Sequence, residues 1–214
     1  MFSLRQLGTS SIQFMRRNLS ILLFLIIIFI SGVTFGAIAV KMLSYAEKNQ
    51  LVNYLANFFQ NFKGKLVLQQ EILAQEAVFY NLKLILLVWI LGISIVGMPI
   101  IPILVFLRGF ILGFAVGFLV DELAVKGFLF AVVSIVPHNL FAIPSLIIAG
   151  TAGIAFALNL FKSRFKRMPI NFAQYFFGYS TLMIILAVIL VTAGLIESFL
   201  TPILMSFITK TVIY

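Results

Sequence analysis

The sequence predicts an all-α polytopic membrane protein: about five transmembrane helices, one of them broken, plus amphipathic helices outside the membrane. Three observations carry this reading. Hydrophobic residues make up 63% of the 214 and charged residues only 10%, whereas a soluble domain is about 45–50% apolar and about 25% charged. Apolar runs recur at the length of about 20 residues that crosses about 30 Å of hydrocarbon. The charges gather at the ends of those runs, where they set topology and meet lipid headgroups. A mean hydropathy of +1.18 fits a chain whose solvent is lipid, and membrane lipid is the first partner it implies.

The first span is Leu19–Val40. Arg5, Arg16 and Arg17 precede it without an acid. Ala37-Ile38-Ala39 resembles a signal-peptide cleavage site, but the apolar region of a signal peptide is about 7–15 residues, so an uncleaved helix with a cytoplasmic N-terminus is expected. Residues 41–80 form the one long polar stretch, an outer loop. Within it Leu51, Tyr54, Leu55, Phe58, Phe59 and Phe62 recur at i, i+3, i+4, i+7, i+8 and i+11, one face of an amphipathic helix. Asn53, Asn57 and Gln60 take the other face. Lys63-Gly64-Lys65 interrupts this pattern, and Leu66–Phe79 reads as a second, weaker helix.

Residues 82–98 form the second span and 103–120 the third, which Asp121-Glu122 ends. The apolar run 128–160 is interrupted by Pro137 and Pro144 and is taken as one broken span. Lys162, Arg164, Lys166 and Arg167 close it. Residues 175–200 are the last span, and Thr201-Pro202 reads as the cap of a short interfacial helix. Five spans put the 162–167 cluster on the same side as Arg16 and Arg17, in keeping with the positive-inside tendency. They place the C-terminus outside. The whole chain, 1–214, is then a single integral membrane domain.

Gly109, Gly113 and Gly117, with Gly32 and Gly36 in the first span, repeat at four-residue spacing. Such spacing makes a small-residue groove that lets another helix backbone come close, either as intramolecular packing or as a partner contact. A homo-oligomer is compatible with this. Arg108 lies inside the third span. It is expected to reach toward the end marked by Pro102, since long basic side chains run to the interface. Pro137, His138, Asn139 and Pro144 form a polar site at the broken helix. His138 and Asn139 either satisfy backbone groups freed by the prolines or line a polar site.

The net charge of +9 belongs to span ends, and no basic stripe with interleaved aromatics lies outside the spans, so nucleic acid is not an expected partner. Cysteine is absent and histidine occurs once, so no metal or cofactor is expected. H-E-x-x-H, G-x-S-x-G and the phosphate-binding glycine loop are also absent. No enzyme is expected and no catalytic residue is assigned.

Ser31-Gly32-Val33-Thr34-Phe35-Gly36-Ala37 with Leu43-Ser44, Trp89 through Pro99, Arg108-Gly109-Phe110-Ile111-Leu112-Gly113, Pro137-His138-Asn139 through Pro144, and Ala149-Gly150-Thr151-Ala152-Gly153 follow one another in an order and spacing that resembles the stage II sporulation protein M family nearly end to end. Many family members carry Pro-His-Gly and a glutamate before the second proline. Here Asn139 and Ala142 stand instead, so a role needing that carboxylate is not carried over. The resemblance implies a non-enzymatic septal scaffold in the cell membrane of endospore-forming bacteria. It implies stage II sporulation proteins D and P as partners, which cut peptidoglycan during engulfment. The alternative from another class is a permease- or channel-like subunit working with a separate ATPase. A solute path needs polar residues converging from several spans, and Arg108, His138, Asn139 and Asn159 are few.

Overall fold

The computed structural model describes residues 16–64, 68–166 and 172–212. They form α1 (Leu19–Lys41), α2 (Tyr45–Gly64) and α3 (Leu68–Ile93), a 3₁₀ turn (Ile95–Gly97), a run Ile100–Lys166, and α6 (Phe172–Val212). Ala124, with φ 49° and ψ −127°, divides the long run into α4 (100–123) and α5 (125–166). The described residues contain no strand. Leu19–Lys41, Ile95–Val132, Asn139–Ser163 and Phe172–Gly194 are long and apolar enough to cross a membrane, and Val78–Ile93 is a shorter apolar stretch. The chain is therefore an all-α, multi-pass membrane protein.

Three boundaries differ from the sequence reading. The expected weak helix and the second span join into one helix, Leu68–Ile93, because nothing between Leu68 and Leu91 is proline or glycine. The helix does not restart at Thr201; α6 runs through Pro202. No break occurs at Pro137 and Pro144, where the helix continues; the chain turns at Ala124, between the Asp121-Glu122 end of the third span and the run 128–160, where a boundary was expected. A proline inside a helix removes one hydrogen bond and bends the rod, whereas leaving helical φ/ψ severs it. Pro137 and Pro144 are seven residues apart, about two turns, so they lie on one face of α5. Ala124 is the one non-glycine residue with positive φ among the described residues. It sits between Glu122 and Lys126, where the chain turns back.

The α5 helix runs through the middle. Residues 149–157 are buried on every face, which their small side chains permit: Ala149, Gly150, Ala152, Gly153, Ala155 and Ala157. At Gly150, the place of a Cβ lies 3.0 Å from Leu25 of α1 and 3.1 Å from Ile101 of α4. At Gly153 it lies 2.9 Å from Ile101 and 3.3 Å from the Tyr179 hydroxyl of α6. The core is completed by Val88, Val105, Leu146, Phe156, Met183 and Leu186. The faces of α1 and α6 turned from α5 expose Ile27, Ile30, Ile184 and Val188, as expected of helices that meet lipid.

Candidate functional site

The two glycine stripes face each other within one chain. The direction a Cβ would take leads from Gly32 to the Phe106 carbonyl oxygen and from Gly36 to that of Phe110. From Gly109 it leads to the Phe29 carbonyl, and from Gly113 to that of Val33. Numbers rise together on both sides, so α1 and α4 are parallel. Each glycine aims a Cα–H at a facing carbonyl, a weak hydrogen bond worth about 0.5–1 kcal/mol. Gly117 ends the series, with the Cβ position 3.0 Å from the Ala37 Cα. Phe106, Phe110 and Phe114 stack along one flank of the seam at 6.4 Å centroid spacing, and Phe35 of α1 joins at 6.1 Å.

A second junction, which the sequence reading did not single out, ties α3, α5 and α6. At Gly92 the Cβ position lies 2.7 Å from the Gly153 Cα, so two backbones meet there. The Tyr179 hydroxyl lies 3.1 Å from the Val88 carbonyl and 3.2 Å from that of Trp89. Trp89 Nε1 donates to Ser180 Oγ at 3.2 Å. Phe156 stacks on Tyr179 with centroids 4.8 Å apart. The last turn of α3 carries no basic residue, so the tyrosine hydroxyl supplies a donor near its negative end. The signal was available: a tyrosine in an apolar span needs a partner for its hydroxyl.

At the bend in α5, Asn139 Nδ2 donates to the Ile135 carbonyl at 2.8 Å. Asn139 thus serves its own helix one turn back. Pro137 is half-buried and Pro144 exposed; the side chain of His138 lies outside the described residues. Further in, Thr151 is buried and donates to the Ile147 carbonyl at 2.7 Å. Arg108 departs from its expected course. Its guanidinium lies 5.4 Å from the centre of the Tyr80 ring, and Tyr80 is near the beginning of the Val78–Ile93 stretch, away from the Pro102 end. The face of an aromatic ring attracts a cation where water is scarce.

Helix α2 begins with a capping box, Ser44-Tyr45-Ala46-Glu47, also missed in the sequence. The Ser44 backbone N–H and hydroxyl donate to Glu47 Oε2 at 2.8 and 2.7 Å. The Glu47 N–H faces Ser44 Oγ at 3.4 Å, the reciprocal arrangement of this motif. These bonds, the serine hydroxyl first, hold the Glu47 carboxyl below its ordinary range. Lys48 pairs with Asp121 near the C-terminal end of α4. Among the described residues, that pair ties α2 to the spans. Leu51 is half-buried and Tyr54 is 70% exposed; the side chains of Leu55, Phe58, Phe59 and Phe62 lie outside the described residues.

Comparison with known protein families gives one result that bears on all of these places. The family model of stage II sporulation protein M matches residues 25–202. That stretch holds both backbone seams, the α5 bend and α2. No curated protein and no solved structure matches the chain. The chain belongs to the stage II sporulation protein M family and is a multi-pass sporulation membrane protein.

Proposed function

We propose that the protein is a non-enzymatic scaffold that recruits and positions peptidoglycan-degrading partners, stage II sporulation proteins D and P, at the septum during engulfment. The observation that carries this reading is α2. It stands beyond the spans, exposes Tyr54, and is tied to them through Lys48 and Asp121. A helix that only capped its own bundle would turn its aromatic face onto that bundle. A helix that recruits keeps the face for a groove on another protein. Its polar face carries Asn53 and Asn57 rather than the lysines and arginines of helices that lie on anionic lipid.

In this reading the N-terminus is cytoplasmic and α2 is outside. Arg16, Arg17 and Lys162 then share the inner end of the bundle, in line with the positive-inside tendency. The test is capture of both partners from sporulating cells by the full chain and by two variants, Tyr54→Ala and Phe58→Ala with Phe59→Ala. The expected result is normal abundance and membrane insertion with capture lost. Abundant variants that still capture both partners would place recruitment in the spans instead.

A further inference from the structure

On the flank of the α1–α4 seam opposite the phenylalanine stack lies a groove of about 470 Å³. Val33, Ala37 and Val40 form one wall, and Val116, Gly117 and Val120 form the other. Leu112 and Gly113 close its deep end, and Lys41 and Asp121 stand at its mouth. The groove follows the helix axes. From Lys41 back to Val33, or from Asp121 back to Leu112, is about 12–14 Å at 1.5 Å per residue. That is close to one leaflet, half of a hydrocarbon core about 30 Å thick.

Shape and charge select the occupant. A transmembrane helix of a partner would need a groove that continues across both leaflets, and this one stops at Val33 and Leu112. The open space in and around the groove, about 910 Å³, spread over that length gives about 70 Å² in cross-section, still less than an α-helix about 10–12 Å across. Flexible hydrocarbon chains fit that width. The walls are apolar and the charges sit only at headgroup level. Asp121 is already engaged by Lys48, and among the described residues Lys41 has no acidic partner. With Asp121 engaged by Lys48, Lys41 is the cation that the groove's lining offers to an anionic headgroup.

We propose that this groove holds one anionic glycerophospholipid of the leaflet on the α2 side. Its acyl chains lie between α1 and α4, and its phosphate meets Lys41. The bound lipid fills the surface that the small residues leave open beside the seam. It also places a headgroup next to the Lys48–Asp121 tether, at the base of α2.

The test uses the full chain in phosphatidylcholine nanodiscs with a small fraction of phosphatidylglycerol bearing a photoreactive diazirine in its acyl chain. After irradiation, labelled peptides are mapped. Adducts should concentrate on 33–41 and 112–121, above those on the lipid-facing residues Ile184 and Val188 in the same sample. Val116→Trp, which fills the groove, should remove the excess. Lys41→Gln should lower the preference for phosphatidylglycerol over phosphatidylcholine about fivefold, the worth of one lysine near anionic headgroups. It lies exposed at the helix end, so it tests the idea even where the tryptophan variant does not fold. Labelling of α6 equal to that of the groove would mean ordinary contact with bulk lipid and would overturn the proposal. So would labelling that neither variant changes.

Discussion

Replacing Gly113 by alanine tests the α1–α4 seam most directly. The new Cβ would lie 2.7 Å from both the Cα and the carbonyl carbon of Val33, and nearer still to its oxygen. Ordinary contact begins at 3.4 Å, and backbone cannot swing aside as a side chain does. To bring that oxygen out to ordinary contact the helices must separate by more than about 1 Å, and a gap of about 0.5–1 Å already forfeits a quarter to a half of each dispersion contact it opens. It also stretches the four Cα–H···O contacts, each worth about 0.5–1 kcal/mol. Losing half of that set costs about 1–2 kcal/mol. Two other glycines calibrate the measurement. Gly117→Ala meets Ala37 at 3.0 and 3.4 Å, a smaller conflict, and should cost less. Gly178 has nothing within 4 Å, so alanine there should cost nothing, since alanine is the better helix former. Reversible unfolding by sodium dodecyl sulfate in mixed micelles, followed by the fluorescence of Trp89, the single tryptophan, ranks the three. Equal stability of Gly113→Ala and Gly178→Ala would refute the close-approach reading.

Three further outcomes are expected. Tyr179→Phe keeps the stack on Phe156 but removes the donor shared by the Val88 and Trp89 carbonyls. It should cost about 1 kcal/mol in the same titration, and an unchanged midpoint would show that those carbonyls do not need it. The Glu47 cap should depend on pH. Its carboxyl is held low in the folded chain, so its contribution is complete above the ordinary carboxylate range and disappears as pH falls through the lowered folded value. Hydrogen exchange at the first amides of α2, corrected for intrinsic rates, should quicken in acid for the wild type, and Glu47→Gln should lose that dependence. The chain has no cysteine, so single cysteines report sidedness cleanly. Those placed at Asn53 and Lys126 should react with an impermeant reagent in intact cells, whereas one at Ser163 should not; labelling at all three would rule out this arrangement of ends.

How much of this was legible depended on the kind of signal. Long apolar runs read directly as spans because lipid leaves helices few alternatives. The spacing of Gly109, Gly113 and Gly117 announced close approach, but a stripe carries no address, and only the fold shows that Gly32 and Gly36 lie opposite. Proline misled where it is most visible. Pro137 and Pro144 suggested a break, whereas the helix continues through both; the turn at Ala124 falls in the charged interval from Asp121 to Lys126 that already separated the two spans in the sequence. Arg108 was placed by its distance along the helix, and the attraction of the Tyr80 ring, from a different span, has no local signature. The Ser44–Glu47 box was fully written in the sequence and needed only the four-residue pattern to be noticed.

The parallel pairing of α1 with α4 has a consequence for biosynthesis. Helices that run the same way through a bilayer must be separated by at least one that runs back, so α1 enters the membrane long before its mate exists. About 80 residues lie between Val33 and Gly113, which at about 5–20 residues per second is about 4–16 s of translation. Throughout that interval the nascent first span presents Gly32 and Gly36 to whatever shares the membrane, including the same span of another copy emerging from a neighbouring ribosome. The elongation time between Lys41 and Arg108 thereby sets how long the glycines of the first span wait for the facing helix.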